Sequence, residues 1–226
     1  MTDKSKKRFS GVIFDMDGVI FDSEVLWQRA FKLANKQFGL NFTEEYRQSC
    51  CGKDENLIRS ELRQTHPSLD ADEYRDFIVD NVSQTIEKSG APLKDGFCEL
   101  VRYLKQNGYK TALATSSAKQ RAQKLFAKKN LDIDEIFDGT VFCEDVKVSK
   151  PNPEIFLKAA KKLSLAPGEC IVLEDSLNGL LAARLGGCAS VMVVDLIEPD
   201  ESAKNSCLFI ARGLNEVTDF LKRDLA

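Results

Sequence analysis

Residues 12–20 read Val-Ile-Phe-Asp-Met-Asp-Gly-Val-Ile, so an apolar run ends in two carboxylates and a glycine. The run is short, apolar and rich in β-branched residues, and it therefore predicts a buried strand closed by a turn. In an open α/β sheet, ligands bind beyond the carboxyl ends of the strands. Asp15 and Asp17 are thus expected at the mouth of a binding site, although the same residue types are common in ordinary turns.

The bulk composition predicts a globular protein with a hydrophobic core. The chain has 226 residues, of which 43% are hydrophobic and 30% are charged, which suits one large domain or a core with a small accessory domain. The formal net charge of -3 argues against a nucleic-acid-binding protein that uses a broad basic face. The polar, basic residues 1–8 lead into an apolar run far too short for a signal or membrane-spanning segment, so no membrane association is expected.

The histidine and cysteine content limits the kinds of metal site and catalytic nucleophile that the chain can form. Seven cysteines are scattered without the paired spacing of a zinc site, a pattern typical of a reducing cytoplasm. The single histidine, His66, precedes a proline in a loop-like stretch. We therefore expect a cytoplasmic protein whose chemistry does not depend on a histidine-activated nucleophile.

The segment that follows the first strand predicts helices only. Apolar residues recur at helical spacing over residues 26–38, and Asp70 with Glu73 three residues later resembles a capping box at the start of another helix. We expect residues 23–90 to form an all-helical cap domain. An insertion at this point of an α/β core would cover the crevice beyond the strands, where a lid belongs.

From residue 91 onward, short apolar strands alternate with amphipathic helices. The predicted strands are 109–114, 140–143, 170–173, 189–194 and, more weakly, 207–210. This alternation predicts an α/β fold whose doubly wound parallel sheet is built with right-handed crossovers. The catalytic core would comprise residues 1–22 and 91–226.

Three further polar groups follow predicted strands or approach predicted helices. They are Thr115-Ser116-Ser117, Lys150 before Pro151, and Glu174-Asp175. Each alone has an ordinary explanation as a helix cap or a solvated side chain. Together with the first two aspartates, they offer the oxygen ligands that Mg²⁺ uses beside a phosphate, and donors for a phosphoryl group. The combination predicts phosphoryl transfer through an aspartyl phosphate.

On these residues the chain resembles the haloacid dehalogenase-like hydrolase superfamily, in the branch that contains β-phosphoglucomutase and small sugar-phosphate phosphatases. The four motifs occur in order: Asp-Met-Asp-Gly-Val from Asp15, the strand-end Thr115, Lys150-Pro-Asn-Pro, and Glu174-Asp-Ser-Leu-Asn-Gly. The resemblance spans essentially the whole chain and implies a Rossmann-like core with an inserted helical cap.

The resemblance also implies roles for individual residues. Asp15 would be the nucleophile, and Asp17 would protonate the leaving oxygen and then activate the hydrolytic water. The family's dehalogenases lack this second aspartate, so Asp17 favours phosphate chemistry. Four residues would bind the phosphoryl group: Thr115, Lys150 and, through nearby backbone N–H groups, Gly18 and Ser116. Four residues would hold Mg²⁺: Asp15, Asp17 through its carbonyl oxygen, Glu174 directly or through water, and Asp175.

Two departures from β-phosphoglucomutase favour hydrolysis over a mutase. The mutases carry a histidine where this chain has Trp27, and a cap arginine that grips a second phosphate at about the position of Glu55. Lys53 or Arg59 are the candidates to replace that arginine.

We therefore expect a Mg²⁺-dependent phosphatase, by default a monomer, that acts on a small phosphorylated metabolite such as a sugar or polyol phosphate. The alternatives are a phosphomutase and a non-catalytic module that only accepts phosphate. The candidate substrate-selecting residues are Ser23, Trp27, Gly52, Lys53 and Asn81. For Trp27 the competing interpretation is packing within the core of the cap, and for Asn81 it is simple exposure on the surface of its helix.

Overall fold

The computed structural model describes residues 7–50, 55–195 and 199–224. The chain forms two compact units, one of Met1–Asp22 with Pro92–Ala226 and the other of Ser23–Ala91. Among the described helices, none combines the length and apolarity that a bilayer span requires.

The larger unit contains a six-stranded sheet. Its strands are β1 (Gly11–Phe14), β2 (Lys110–Ala114), β3 (Gly139–Val141), β4 (Cys170–Glu174), β5 (Ala189–Val193) and β6 (Ile210–Ala211). Their order across the sheet is β3-β2-β1-β4-β5-β6, and every neighbouring pair is parallel. The predicted doubly wound α/β fold is confirmed.

The described secondary-structure elements of the smaller unit are all helices. It contains α1 (Glu24–Phe38), α2 (Glu44–Cys50), α3 (Glu55–Thr65) and α4 (Ala71–Ser89). Gly39 ends α1 in the left-handed region, with φ of 64°. Asp70 begins α4, because its carboxylate accepts hydrogen bonds from the backbone N–H groups of Asp72 and Glu73 at 3.0 Å each. Both helix ends lie where the sequence predicts them.

The helices of the larger unit flank the sheet. They are α5 (Phe97–Gln106), α6 (Lys119–Ala127), α7 (Ile133–Ile136), α8 (Glu154–Lys162), α9 (Leu177–Leu185), α10 (Glu201–Lys204) and α11 (Leu214–Asp224), with short 3-10 turns at Cys143–Asp145 and Pro167–Glu169. Strand β1 is fully buried between them. The ring of Phe14 packs edge-to-face on Phe97 and Phe137, at centroid distances of 6.0 and 5.8 Å.

The sheet register brings the ends of three strands level with one another. Phe14 pairs with Leu113 of β2 and with Leu173 of β4. The residues that follow, Asp15 and Glu174 among them, therefore lie at one carboxyl edge of the sheet. The Asp15 N–H still donates to the Leu173 carbonyl oxygen at 3.0 Å, so the backbone holds Asp15 in place beside β4.

Several predicted boundaries are wrong at the sheet edges. The strand expected at 207–210 is instead Ile210–Ala211, although the Leu208 N–H donates to the Ser190 carbonyl oxygen at 2.8 Å. The strand expected at 140–143 is Gly139–Val141, because the chain turns into the 3-10 segment Cys143–Asp145. The four-residue helices α7 and α10 were not predicted, since segments this short carry too little periodicity to be recognised.

The cap at the start of α4 gives a stability test for the helical unit. We expect Asp70→Ala to lower the free energy of unfolding by about 1 kcal/mol, because two backbone N–H groups lose their acceptor. Urea unfolding followed by circular dichroism measures the change. Asp70→Ser is the control, since a serine keeps a capping oxygen, and equal losses for both variants would contradict this role of the carboxylate.

Candidate active site

The acidic residues at the carboxyl edge of the sheet are buried around one lysine. Asp15 and Glu174 expose 7% and 1% of their surface. Lys150 Nζ lies 2.5 Å from Asp15 Oδ1 and also contacts Glu174 Oε1. Burial alone would lower the pKa of Lys150, but Asp15 and Glu174 together raise it, so this side chain is an ammonium ion. Asp15 and Lys150, which are 135 positions apart in the sequence, thus belong to one buried ion cluster.

Glu174 is oriented by the start of the next helix. Its Oε2 accepts hydrogen bonds from the Ser176 backbone N–H at 2.9 Å and from the Ser176 hydroxyl at 2.8 Å. Ser176 in turn caps α9 by accepting from the Gly179 N–H at 3.1 Å. A side chain at position 179 would not fit, because a Cβ added to Gly179 would lie 1.9 Å from Glu174 Cδ. The carboxylate of Glu174 therefore occupies the space that any other residue at 179 would need.

Asp175 is packed against the glycine of the first motif. Gly18 adopts a left-handed conformation with φ of 75°, and an added Cβ there would lie 2.1 Å from Asp175 Oδ2. Burial, followed by the negative charges of Glu174 and Asp15, raises the pKa of Asp175. Burial also raises the pKa of Asp15, against the lowering effect of Lys150. In both groups burial is the main cause, and repulsion from the neighbouring carboxylates adds to it.

The donor set at this edge fits a hard divalent cation. Buried carboxylates with raised pKa values are stabilised in their charged form by a nearby cation, and Mg²⁺ prefers such oxygen ligands. Within the part of the chain that the structure describes, no three Asp, Glu, His or Cys side chains converge closely enough to hold an ion by themselves. Backbone oxygens, water or a substrate would therefore complete the coordination of an ion held by Asp15 and Asp175.

The carboxylate of Asp17 is held by a residue that the sequence did not reveal. Arg121 donates to both oxygens of Asp17, at 2.6 Å to Oδ2 and 2.7 Å to Oδ1. The Ser117 hydroxyl donates to Asp17 Oδ2 at 2.9 Å and accepts from Arg121 at 2.6 Å. Ser117 and Arg121 are four residues apart, a spacing that places them on one face of α6 and its leading turn. This spacing predicts a contact between Ser117 and Arg121, but it gives no indication that both bind Asp17.

The polar turn after β2 is a loop rather than the first turn of a helix. Thr115 is buried, and its hydroxyl accepts from the Ser117 N–H at 3.0 Å. Ser116 is exposed. Helix α6 begins only at Lys119, after Ala118, so the interpretation of these hydroxyl residues as a helix cap is wrong. The Thr115 side chain instead tightens the turn, as serine and threonine do when they bond to a nearby backbone N–H.

The candidate substrate-selecting residues lie in the helical unit. Ser23 is buried before α1, and Trp27 is half-buried on α1. The Asn81 side-chain amide donates to the Phe77 carbonyl oxygen at 2.8 Å, along its own helix. Gly52 and Lys53 lie outside the described residues.

The region of the expected cap arginine is occupied by internal ion pairs. Arg59 donates to Asp76 at 2.8 Å and to Asp72 at 3.2 Å. Glu55 accepts from Arg75. The guanidinium of Arg59 is therefore already engaged by carboxylates of its own unit.

Comparison with known proteins gives consistent matches along the chain. The family model described as haloacid dehalogenase-like hydrolase matches residues 9–187. The phosphorylated carbohydrates phosphatase of Thermotoga maritima is 32% identical over 179 residues, covering 78% of this chain and 81% of that protein. Hexitol phosphatase B of Escherichia coli is 27% identical, covering 97% of both. The crystal structure of a putative β-phosphoglucomutase from Thermotoga maritima aligns with a TM-score of 0.78 at 26% identity, over 95% of this chain and 99% of that one.

The close approach of Gly179 to Glu174 gives a second test. Helix propensity alone predicts that Gly179→Ala stabilises α9 by about 1 kcal/mol. We expect instead a loss of about 2 kcal/mol in the free energy of unfolding, because the new methyl group displaces the buried Glu174 carboxylate. Gly168→Ala is the matched control, since its nearest neighbour would be 3.9 Å from the added Cβ. A Gly179→Ala protein at least as stable as the parent in urea unfolding would refute the packing argument.

Proposed function

Because this chain belongs to the haloacid dehalogenase-like hydrolases, we propose that it is a Mg²⁺-dependent phosphatase of small sugar or polyol phosphates. The observation that carries the proposal is the buried contact of Lys150 with Asp15 at the carboxyl end of β1. A carboxylate at that edge is placed to attack a bound phosphate, and an ammonium ion beside it offsets the negative charge of the reacting groups.

Asp15 is the nucleophile in this proposal. One carboxylate oxygen forms a bond to phosphorus as the bond to the leaving oxygen breaks, which produces an aspartyl phosphate and an alcohol. Lys150 and the Thr115 hydroxyl bind phosphoryl oxygens, assisted by backbone N–H groups near Gly18 and Ser116. Phosphoryl transfer depends mainly on such positioning and charge compensation.

Asp17 moves the protons in both steps. It gives a proton to the leaving oxygen in the first step and accepts one from the attacking water in the second. The water oxygen bonds to phosphorus, the bond to Asp15 breaks, and inorganic phosphate leaves with the original carboxylate restored. Arg121 and Ser117 donate to both oxygens of the ionised Asp17 carboxylate, which is the form that accepts the proton in the second step, so they act as positioning residues.

The residues proposed to hold Mg²⁺ are Asp15, Asp175, the carbonyl oxygen of Asp17 and, directly or through water, Glu174. When bound, the ion would compensate the negative charge of the carboxylates and of the phosphoryl group. Its presence would also favour the ionised form of Asp15, whose pKa burial raises to about 7.

The proposed substrate class rests on the relatives and on the helical unit. Two of the relatives described above are named as phosphatases of phosphorylated carbohydrates and of hexitols. The structural match to a putative β-phosphoglucomutase keeps a mutase as the second candidate. Among the described residues, hydrolysis is favoured because the acidic Glu55 stands at about the position of the mutase arginine, and Arg59 is paired with carboxylates of its own unit. Trp27 occupies the position of the mutase histidine.

A substrate screen tests the proposed function. We expect purified protein with Mg²⁺ to release inorganic phosphate from hexitol or sugar phosphates, and both EDTA and Asp15→Asn to abolish the release. Conversion of a sugar phosphate to its isomer without net phosphate release would establish the mutase instead. Acceptance of phosphate without turnover on any substrate would identify the non-catalytic module.

The positioning role of Arg121 predicts a dependence on the leaving group. In single-turnover measurements, we expect Arg121→Gln to slow alcohol release from an alkyl phosphate about 10- to 100-fold. Release from p-nitrophenyl phosphate should change much less, because nitrophenolate leaves without a proton. Arg121→Lys should restore part of the rate, and Arg102→Gln, at an exposed arginine of α5, is the control. Equal slowing of both substrates would contradict a role through Asp17.

A further inference from the structure

A buried carboxylate beyond β5 lies beside the acidic cluster but was not among the expected site residues. Asp195 follows β5 by two residues, and β5 pairs with β4 so that Met192 lies level with Glu174. The Val194 N–H donates to the Ala211 carbonyl oxygen at 2.8 Å, which keeps the chain aligned with the sheet up to this point. Asp195 therefore leaves the sheet at the same carboxyl edge as Asp175.

The Asp195 side chain is only half satisfied. It is 7% exposed, and Lys94 forms an ion pair with its Oδ1. Its Oδ2 is buried and has no hydrogen-bond donor among residues 7–50, 55–195 and 199–224. A buried carboxylate oxygen without a donor is unfavourable, and such an atom in a native structure indicates a missing water, ion or ligand.

The charges near Asp195 indicate which kind of ligand would satisfy its Oδ2. Asp195 lies near enough to Asp175 for the two negative charges to repel each other. Among the described residues, Asp17 at this edge is paired with Arg121, while Asp15, Glu174, Asp175 and Asp195 have only two lysine partners, Lys150 and Lys94. Two negative charges remain uncompensated, which is the charge that one divalent cation neutralises.

We propose that Asp195 belongs to the divalent-cation site, with Oδ2 accepting a hydrogen bond from the hydration shell of the ion. This inference rests on the cation of the proposed function and adds a residue to its surroundings. Contact through water is favoured because no three side chains of the usual metal-ligating types converge in the described residues. Mg²⁺ usually keeps several of its water molecules in proteins.

The competing explanation is that Asp195 only anchors Lys94. The Lys94 N–H donates to the Ile20 carbonyl oxygen at 2.9 Å, so Lys94 lies where the chain returns to the core. The two explanations differ for a substitution of Lys94. An anchoring pair loses the same interaction when either partner is removed, whereas a cation site gains affinity when a neighbouring positive charge is removed.

Isothermal titration of the metal-free protein with Mg²⁺ tests the proposal. We expect Asp195→Asn to weaken Mg²⁺ binding about tenfold or more, as the loss of a hydrogen-bond partner behind the direct metal ligands does in other metalloproteins. Lys94→Gln should bind Mg²⁺ at least as tightly as the parent protein. Asp219→Asn is the matched control, because Asp219 also pairs with a lysine, Lys222 at 3.0 Å, but on an exposed helix face. Thermal unfolding without metal separates loss of folding from loss of binding.

Each outcome has a distinct meaning. An Asp195→Asn protein whose Mg²⁺ affinity stays within twofold of the parent overturns the proposal, and so do equal losses in Asp195→Asn and Lys94→Gln. If Asp195→Asn does not fold, Lys94→Gln decides alone, since weaker Mg²⁺ binding in that variant contradicts the cation site. A parent protein that neither binds Mg²⁺ nor releases phosphate would instead overturn the proposed function itself.

Discussion

Like-charge repulsion among buried carboxylates governs the carboxyl edge of this sheet. Asp15, Glu174 and Asp175 are brought together because their strands are neighbours in a parallel sheet and end at one level. Lys150 compensates part of the charge, while burial and, after it, the repulsion from neighbouring carboxylates raise the pKa values of Asp15 and Asp175. Such an edge is stabilised by a cation and is therefore suited to bind Mg²⁺ and a phosphate together.

The surrounding chain holds these carboxylates close together, because two glycines leave room for them and a serine donates hydrogen bonds to one of them. Gly18 and Gly179 leave the space that Asp175 and Glu174 occupy. Ser176 orients Glu174 from the start of α9. A buried constellation held by such contacts is ready before the substrate arrives, which is how enzymes stabilise charge without reorganising at the moment of reaction.

Charged side chains are paired differently in the two units. In the core, ion pairs surround the proposed reacting groups, and Arg121 holds Asp17 from the face of α6. In the helical unit, Arg59 and Arg75 bind carboxylates on neighbouring helices, so these cations serve the packing of the unit. For Arg59, a candidate to bind the second phosphate of a mutase, this pairing favours a phosphatase.

The sequence by itself determined the fold class and most helices and strands, because hydrophobic periodicity and turn residues report on local structure. It also singled out Asp15 and Glu174, since strand-end motifs in a parallel sheet share one edge, and Lys150, which precedes Pro151 on the approach to a helix. Only the tertiary structure decided the side-chain partners. Arg121 meets Asp17 across 104 residues, and Lys94 meets Asp195 across 101. Pairing over such distances depends on how the elements pack, which no local pattern records.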